Sequence, residues 1–330
     1  MTPHVNIGSP LLYTIFGIVV GIMILIDMFA LKTTGDHKVS FKEALGWTLV
    51  WITVALLFNF GLWWYLSFHM PESLHVAEDH QAFANTVALE FLSGYVLEKS
   101  LSMDNIFVFL LIFGYFKVPN IYQRRVLVYG VLAAIGLRIL MILIGSFLLS
   151  RFEWILYLFG AFLLYTGIKM LFGHDEDADL SDNKLIKITK KFFRFTEDYD
   201  KEHFFTKIDG LRYATPLFLV LVMITISDII FAVDSVPAVF AVSRDPFIVM
   251  TSNVFALLGL RAMYFLLADM AERFHLLQYG LAFILIYIGA KMLVLYFDIH
   301  IPTGLSLGVI LGTLVITIVL SLVTPPKKSS

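Results

Sequence analysis

Residues 216–242, PLFLVLVMITISDIIFAVDSVPAVFAV, form one long apolar run with two acids inside it, Asp228 and Asp234. A run of about 20 apolar residues spans the hydrocarbon layer as a helix. An ionised Asp at its centre costs on the order of 2.5–3.5 kcal/mol, so it needs a partner, a water-filled cavity or a task. The same pattern recurs upstream as Glu98-Lys-Ser-Leu-Ser-Met-Asp104-Asn105, matching Asp228-Ile-Ile-Phe-Ala-Val-Asp234-Ser235: acid, five residues, Asp, then amide or hydroxyl. One helix later each copy carries Gly-Leu-Arg, as Gly136-Leu137-Arg138 and Gly259-Leu260-Arg261. A third helix carries Tyr165-Thr-Gly167-Ile-Lys169-Met170-Leu171 or its counterpart Tyr287-Ile-Gly289-Ala-Lys291-Met292-Leu293. Three anchors in one order predict a duplicated three-helix unit. An odd number of crossings makes the second copy enter from the opposite side, giving an inverted repeat of the kind transporters use.

The rest of the chain fits a membrane setting. Of its 330 residues 59% are hydrophobic and 15% charged, and the mean hydropathy is +0.83, well above the level of soluble domains. The expected fold is an all-α polytopic bundle of nine spans, near 11–31, 45–68, 84–116, 125–149, 154–172, 214–242, 247–268, 276–297 and 303–323. This is one membrane domain over 1–330: two peripheral helices in 11–68, repeat 1 in 84–172, a cytoplasmic loop over 173–213, repeat 2 in 214–297, and a last helix at 303–323. Seventeen Lys and Arg fall in one set of alternate loops and only Arg151 and Arg244 in the other. The positive-inside rule then places the N-terminus outside and the C-terminus in the cytoplasm. A formal charge of −2 offers no electrostatic basis for nucleic-acid binding. Without a cysteine, thiolate metal sites and disulfides are excluded. No phosphate-binding glycine loop and no nucleophile with its base occurs, so an enzyme is not expected.

The acids define the candidate site. Six residues turn an ideal helix by about 600°, 120° short of two turns, so a regular helix cannot aim both acids of a pair at one point. Spans 3 and 6 are longer than a crossing needs, and Ser100, Ser102 and Asn105 in one and Pro237 in the other predict interrupted helices whose freed carbonyls join the site. Glu98, Asp104, Asp228 and Asp234 would then surround one cavity, completed by Asn105 and Ser235. Arg138 and Arg261 balance part of the charge, and for each Arg taken alone a structural tie is the better reading. Two arginines against four acids leave −2, which suits a divalent cation. The all-oxygen donor set suits Mn²⁺, Mg²⁺ or Ca²⁺ alike. Lys99 adds an unplaced charge. Asp27, at a span end, and Asn253, in span 7, are accessory candidates.

These motifs, with Gln123-Arg-Arg-Val-Leu-Val-Tyr-Gly130 and Thr251-Ser252-Asn253 running into Gly259-Leu260-Arg261, resemble the TerC family of membrane proteins, within it the Alx branch, over most of the chain. The resemblance implies a bacterial inner-membrane protein linked to manganese export, to tellurium resistance and to alkaline pH. Asp27 matches an acid at the end of the family's first helix. Many members carry Glu where this chain has Thr225, so the sequence departs from the pattern there by one carboxylate. The leading expectation is a secondary transporter exporting Mn²⁺ as its substrate, with protons as the natural counter-ion. The alternatives are a membrane partner of the secretion machinery that hands metal to exported proteins, and a non-transport component of tellurium or alkaline-stress resistance.

Overall fold

The computed structural model describes residues 7–30, 40–69, 80–152, 154–172, 189, 194–208, 210–268, 276–297, 299 and 301–324, without the side chains of Phe29, Ala30 and Asp104. Ten α-helices and one hairpin account for nearly all of it. They are α1 (Pro10–Ala30), α2 (Phe41–Phe68), α3 (His80–Tyr115), α4 (Asn120–Arg151), α5 (Ile155–Phe172), β1 (Phe205–Ile208), β2 (Leu211–Ala214), α6 (Pro216–Phe240), α7 (Pro246–Leu257), α8 (Leu260–Ala268), α9 (Leu277–Val294) and α10 (Thr303–Val323). The protein is an all-α polytopic bundle. Among the described residues seven helices are long and apolar enough to cross a membrane, or eight with the bent pair α7–α8 taken as one span. The 36-residue α3 is outside that set and carries Glu90, Glu98, Lys99 and Asp104 along its length.

Helix starts follow local chemistry. Ser40 caps α2 by accepting from the Glu43 N–H. Asp245 caps α7 by accepting from the N–H groups of Phe247 and Ile248, with Pro246 in the first turn. The expected interruptions of spans 3 and 6 do not occur: α3 and α6 are continuous. In α3 the Ser100 hydroxyl donates to the Val96 carbonyl at 2.6 Å, so the residue read as a breaker bonds back into its own helix. Pro237 lies inside α6, three residues before its end, and the helix runs through it although a proline there cannot donate to the carbonyl four residues back. The break falls in span 7 instead. There α7 and α8 meet at 43°, and Gly259 has φ +82°, a backbone conformation that glycine tolerates. A Cβ on Gly259 would also lie 2.5 Å from the Trp51 ring.

α3 is the hub, packed against α2, α6, α7, α8 and α10, while α4 packs on α6 and α7 and α1 lies along α7. The closest helix pair is α5 with α9, the third helices of the two sequence units. A Cβ on Gly289 would stand 2.7 Å from the Gly160 carbonyl, and one on Gly167 would stand 2.8 Å from the Ala282 carbonyl. The helices are therefore antiparallel, with backbone against backbone. Residues 160 and 167 correspond to 282 and 289 at the spacing of the sequence units (165 to 287), so the two contacts are reciprocal. That is how two helices related by a two-fold axis meet.

Of the expected 173–213 loop, residues up to 193 other than Thr189 lie outside the described residues. The remainder folds as an antiparallel hairpin pairing Phe205 with Ala214 through Ile208 with Leu211. The loop is tied back to the end of α3 by the Tyr199 hydroxyl, which donates to the Phe116 carbonyl at 2.7 Å. Residues 70–79, between α2 and α3, also lie outside the described residues.

Gly289→Ala is predicted to lower the thermal midpoint of the detergent-solubilised protein, with a cost of about 1–3 kcal/mol for overpacking. Gly17→Ala, where nothing lies within 4 Å of the new Cβ, leaves it unchanged.

Candidate functional site: a buried arginine shared by two acids

Four helices each deliver one polar side chain to the centre of the bundle. Glu98 on α3, Arg138 on α4 and Asn253 on α7 are fully buried, and Asp228 on α6 is 2% exposed. The Arg138 Nη1 donates to Glu98 Oε1 and, at 3.2 Å, to Asn253 Oδ1. Its Nη2 lies 3.9 Å from Asp228 Oδ1. Asn253 is itself fixed by donating from Nδ2 to the Val249 carbonyl at 2.9 Å. The close approach of α3 and α7 depends on Gly94, where a Cβ would sit 2.8 Å from Ser252 Oγ.

The cluster is under-satisfied. Among the described residues, Glu98 Oε2, both Asp228 oxygens, and Nε and Nη2 of Arg138 have no hydrogen-bond partner. One guanidinium against two carboxylates leaves a formal charge of −1. A dry interior makes each unmet oxygen expensive, and the same unmet oxygens are what a cation binds.

Of the other sequence-predicted residues, Asp234 has its partner away from this centre. Asp234 lies six residues along α6 from Asp228 and accepts instead from Thr166 Oγ1 of α5 at 3.4 Å. That separation is the 120° offset of a continuous helix, which the absent interruption leaves in place. Asp104 lies on α3, and its side chain is outside the described residues. Asn105 and Ser235 are buried, and the Ser235 hydroxyl has no partner among the described residues. Thr225 donates to the Leu221 carbonyl of its own helix at 2.8 Å.

Arg261 does not face the central acids. Lying just past the bend, its Nη2 donates to the Asp27 carbonyl and stands 3.2 Å from Asp27 Oδ1. The expected pattern of four acids facing two arginines is therefore corrected. One arginine serves Glu98 and Asp228, and the other serves the end of α1. Among the described residues no three His, Asp or Glu side chains are grouped as a metal site.

Three contacts were not foreseen. Glu90 accepts from Ser243 at 2.6 Å, and Asp245 accepts from the Ile7 N–H at 2.6 Å as well as capping α7. Burial pushes the Asp245 carboxyl up, against three N–H groups that favour its charged form. The Asp245-Pro246 pair before an apolar run was the available signal, a helix-start signature. Lys99 donates to two main-chain carbonyls at the α7–α8 break.

Replacing Arg138 by Met is predicted to cost about 3–5 kcal/mol, because it strands two buried carboxylates. Adding Glu98→Gln and Asp228→Asn to that variant recovers most of the loss. Thermal unfolding of the single, double and triple variants checks both expectations.

Comparison with known proteins places this site in a family. Residues 83–329 match the model for the integral membrane protein TerC family, which takes in all four helices of the cluster. The chain is 53% identical to an Escherichia coli (strain K12) protein named "Putative membrane-bound redox modulator Alx", over 96% of this chain and 95% of the relative. A Photorhabdus laumondii protein of the same name is 50% identical over 96% of both. The "Thylakoid membrane protein TERC, chloroplastic" of Arabidopsis thaliana is 48% identical over 73% of this chain and 63% of the relative. No solved structure matches. The family match over most of the chain and the identity to these relatives along nearly its full length show that this protein belongs to the TerC family of integral membrane proteins.

Proposed function

We propose that this TerC-family protein is a secondary transporter that carries divalent manganese, as substrate, out of the bacterial cytoplasm across the inner membrane. One observation carries the reading: Glu98 and Asp228, on different helices, share the buried Arg138 and, among the described residues, keep three carboxylate oxygens without a hydrogen bond. A divalent cation and the guanidinium compete for the same oxygens. When the cation binds, two carboxylates and the Asn253 amide oxygen offer the hard donors that Mn²⁺ accepts. When it leaves, Arg138 limits the cost of bare buried charge. The preference for manganese over magnesium or calcium rests on the family resemblance.

Asp104 and Asp234 lie about 9 Å further along α3 and α6, at a rise of about 1.5 Å per residue. The expected inversion of the repeats would run these helices in opposite directions, so that the two acids flank the centre on opposite sides and serve as stations towards either face. The unequal use of the two repeat arginines supports alternating access. Arg138 holds the centre while Arg261 is held by Asp27, and exchanging those roles would open the opposite face. The interior-negative potential of a bacterial membrane opposes cation export, so a counter-ion is needed, and protons on the same carboxylates supply it.

A second reading follows the relatives' name. A redox role in this chain would run through a bound redox-active metal rather than a thiol, because the sequence has no cysteine.

The test is flux into vesicles holding a Mn²⁺-sensitive dye, under a proton gradient of either sign, with Ca²⁺ as control. Wild type moves Mn²⁺, Glu98→Gln and Asp228→Asn fall to background, and Asp234→Asn slows without abolishing flux. Inactivity of folded wild type under every gradient contradicts transport and favours the secretion-partner reading.

A further inference from the structure

The break between α7 and α8 uses a charge that the central cluster does not. α7 ends at Leu257, Leu258 is extended (φ −63°, ψ 131°) and Gly259 takes φ +82°. An unbroken helix would give the carbonyls of Ala256 and Leu258 the N–H groups of Leu260 and Ala262. Across this break neither bond is made, and the nearest ones run from Leu258 to Val254 and from Met263 to Gly259. The two carbonyls instead converge on Lys99 Nζ, at 3.0 and 3.3 Å. They stand at the C-terminal end of α7, where the helix dipole is negative. Lys99 takes part in no ion pair among the described residues. Its charge is met by oxygen dipoles alone, as a cation's is at the unwound segment of a transporter helix. One turn along the same flank of α3, Ser102 is fully buried with a hydroxyl that has no partner among the described residues.

We propose that the α7–α8 break is a monovalent-cation site, and that its occupant in the folded protein is the Lys99 ammonium, a tethered cation. The site is distinct from the carboxylate cluster in its donors, which are neutral carbonyls, and so in its ligand class, an alkali ion rather than a divalent one. Lys99 directly follows Glu98 on α3, so the tether and the central acid move as one piece of backbone. The inference stands without the transport reading, because its test reads stability rather than flux.

The experiment compares thermal midpoints of the full-length, detergent-solubilised protein in NaCl, KCl and N-methyl-D-glucamine chloride at equal ionic strength. Lys99→Ala is expected to melt several degrees below wild type in N-methyl-D-glucamine and to recover saturably with sodium or potassium. Wild type and Lys99→Arg, which keep a tethered cation, show no such preference. Lys99→Met, whose side chain fills the position without charge, melts low and does not recover. Should the Ala variant not fold, Lys99→Cys serves as the second variant, since it introduces the only thiol of the chain. Rebuilding an ammonium there by aminoethyl disulfide formation, verified by intact mass, restores the midpoint, whereas neutral methyl disulfide formation does not. An alkali-insensitive Lys99→Ala, an equal salt response in all variants, or equal rescue by charged and neutral reagents overturns the proposal.

Discussion

A guanidinium enclosed by four helices has to find its counter-charge among them, and in this protein that requirement organises the centre. Arg138 is fully buried, and so are its partners Glu98 and Asn253, with Asp228 close behind. Removing water from three charges is costly, and the cost is recovered only if α3, α4, α6 and α7 hold their side chains in register. The packing serves that register. Gly94 lets α3 approach α7, and Gly130 would place a Cβ only 3.3 Å from Ile224, keeping α4 close to α6. The balance is nevertheless incomplete, with two acids to one arginine. The excess acid is what the proposed exchange of one cation for another would use.

The two halves of the molecule use equivalent residues unequally. Gly-Leu-Arg occurs twice, but in α4 it lies within a continuous helix, and in the second unit it straddles the bend at Gly259. The bend frees two carbonyls for Lys99 and leaves Arg261 at Asp27. The α5–α9 pair, by contrast, keeps reciprocal glycine contacts. Equal scaffolds with unequal polar contacts are what a two-state exchange between repeats requires.

Much of this was legible in the sequence because hydrocarbon is an unforgiving solvent. Apolar runs of membrane length gave the helices, and an Arg or Asp inside such a run was bound to matter, which picked out Glu98, Arg138 and Asp228. Side-chain direction was harder to read. The excess length of span 3 suggested a break, but Ser100 satisfies itself within the helix, and α6 runs through Pro237 to Phe240. The real break hangs on one glycine facing Trp51, a contact between residues more than two hundred positions apart. Asp27 read only as an accessory candidate at a span end because its partner Arg261 is equally remote. The hairpin at 205–214 did carry a local signal, Asp209-Gly210 between short β-prone segments, which the charge pattern of the loop obscured.

The central claim is that Arg138 and a divalent cation compete for Glu98 and Asp228. Equilibrium Mn²⁺ binding to purified wild type and Arg138→Gln, followed by the loss of the free-ion paramagnetic resonance signal, tests it most directly. The account predicts tighter binding by Arg138→Gln than by wild type, and loss of that gain when Asp228→Asn is added. Equal or weaker binding by a folded Arg138→Gln variant would contradict it.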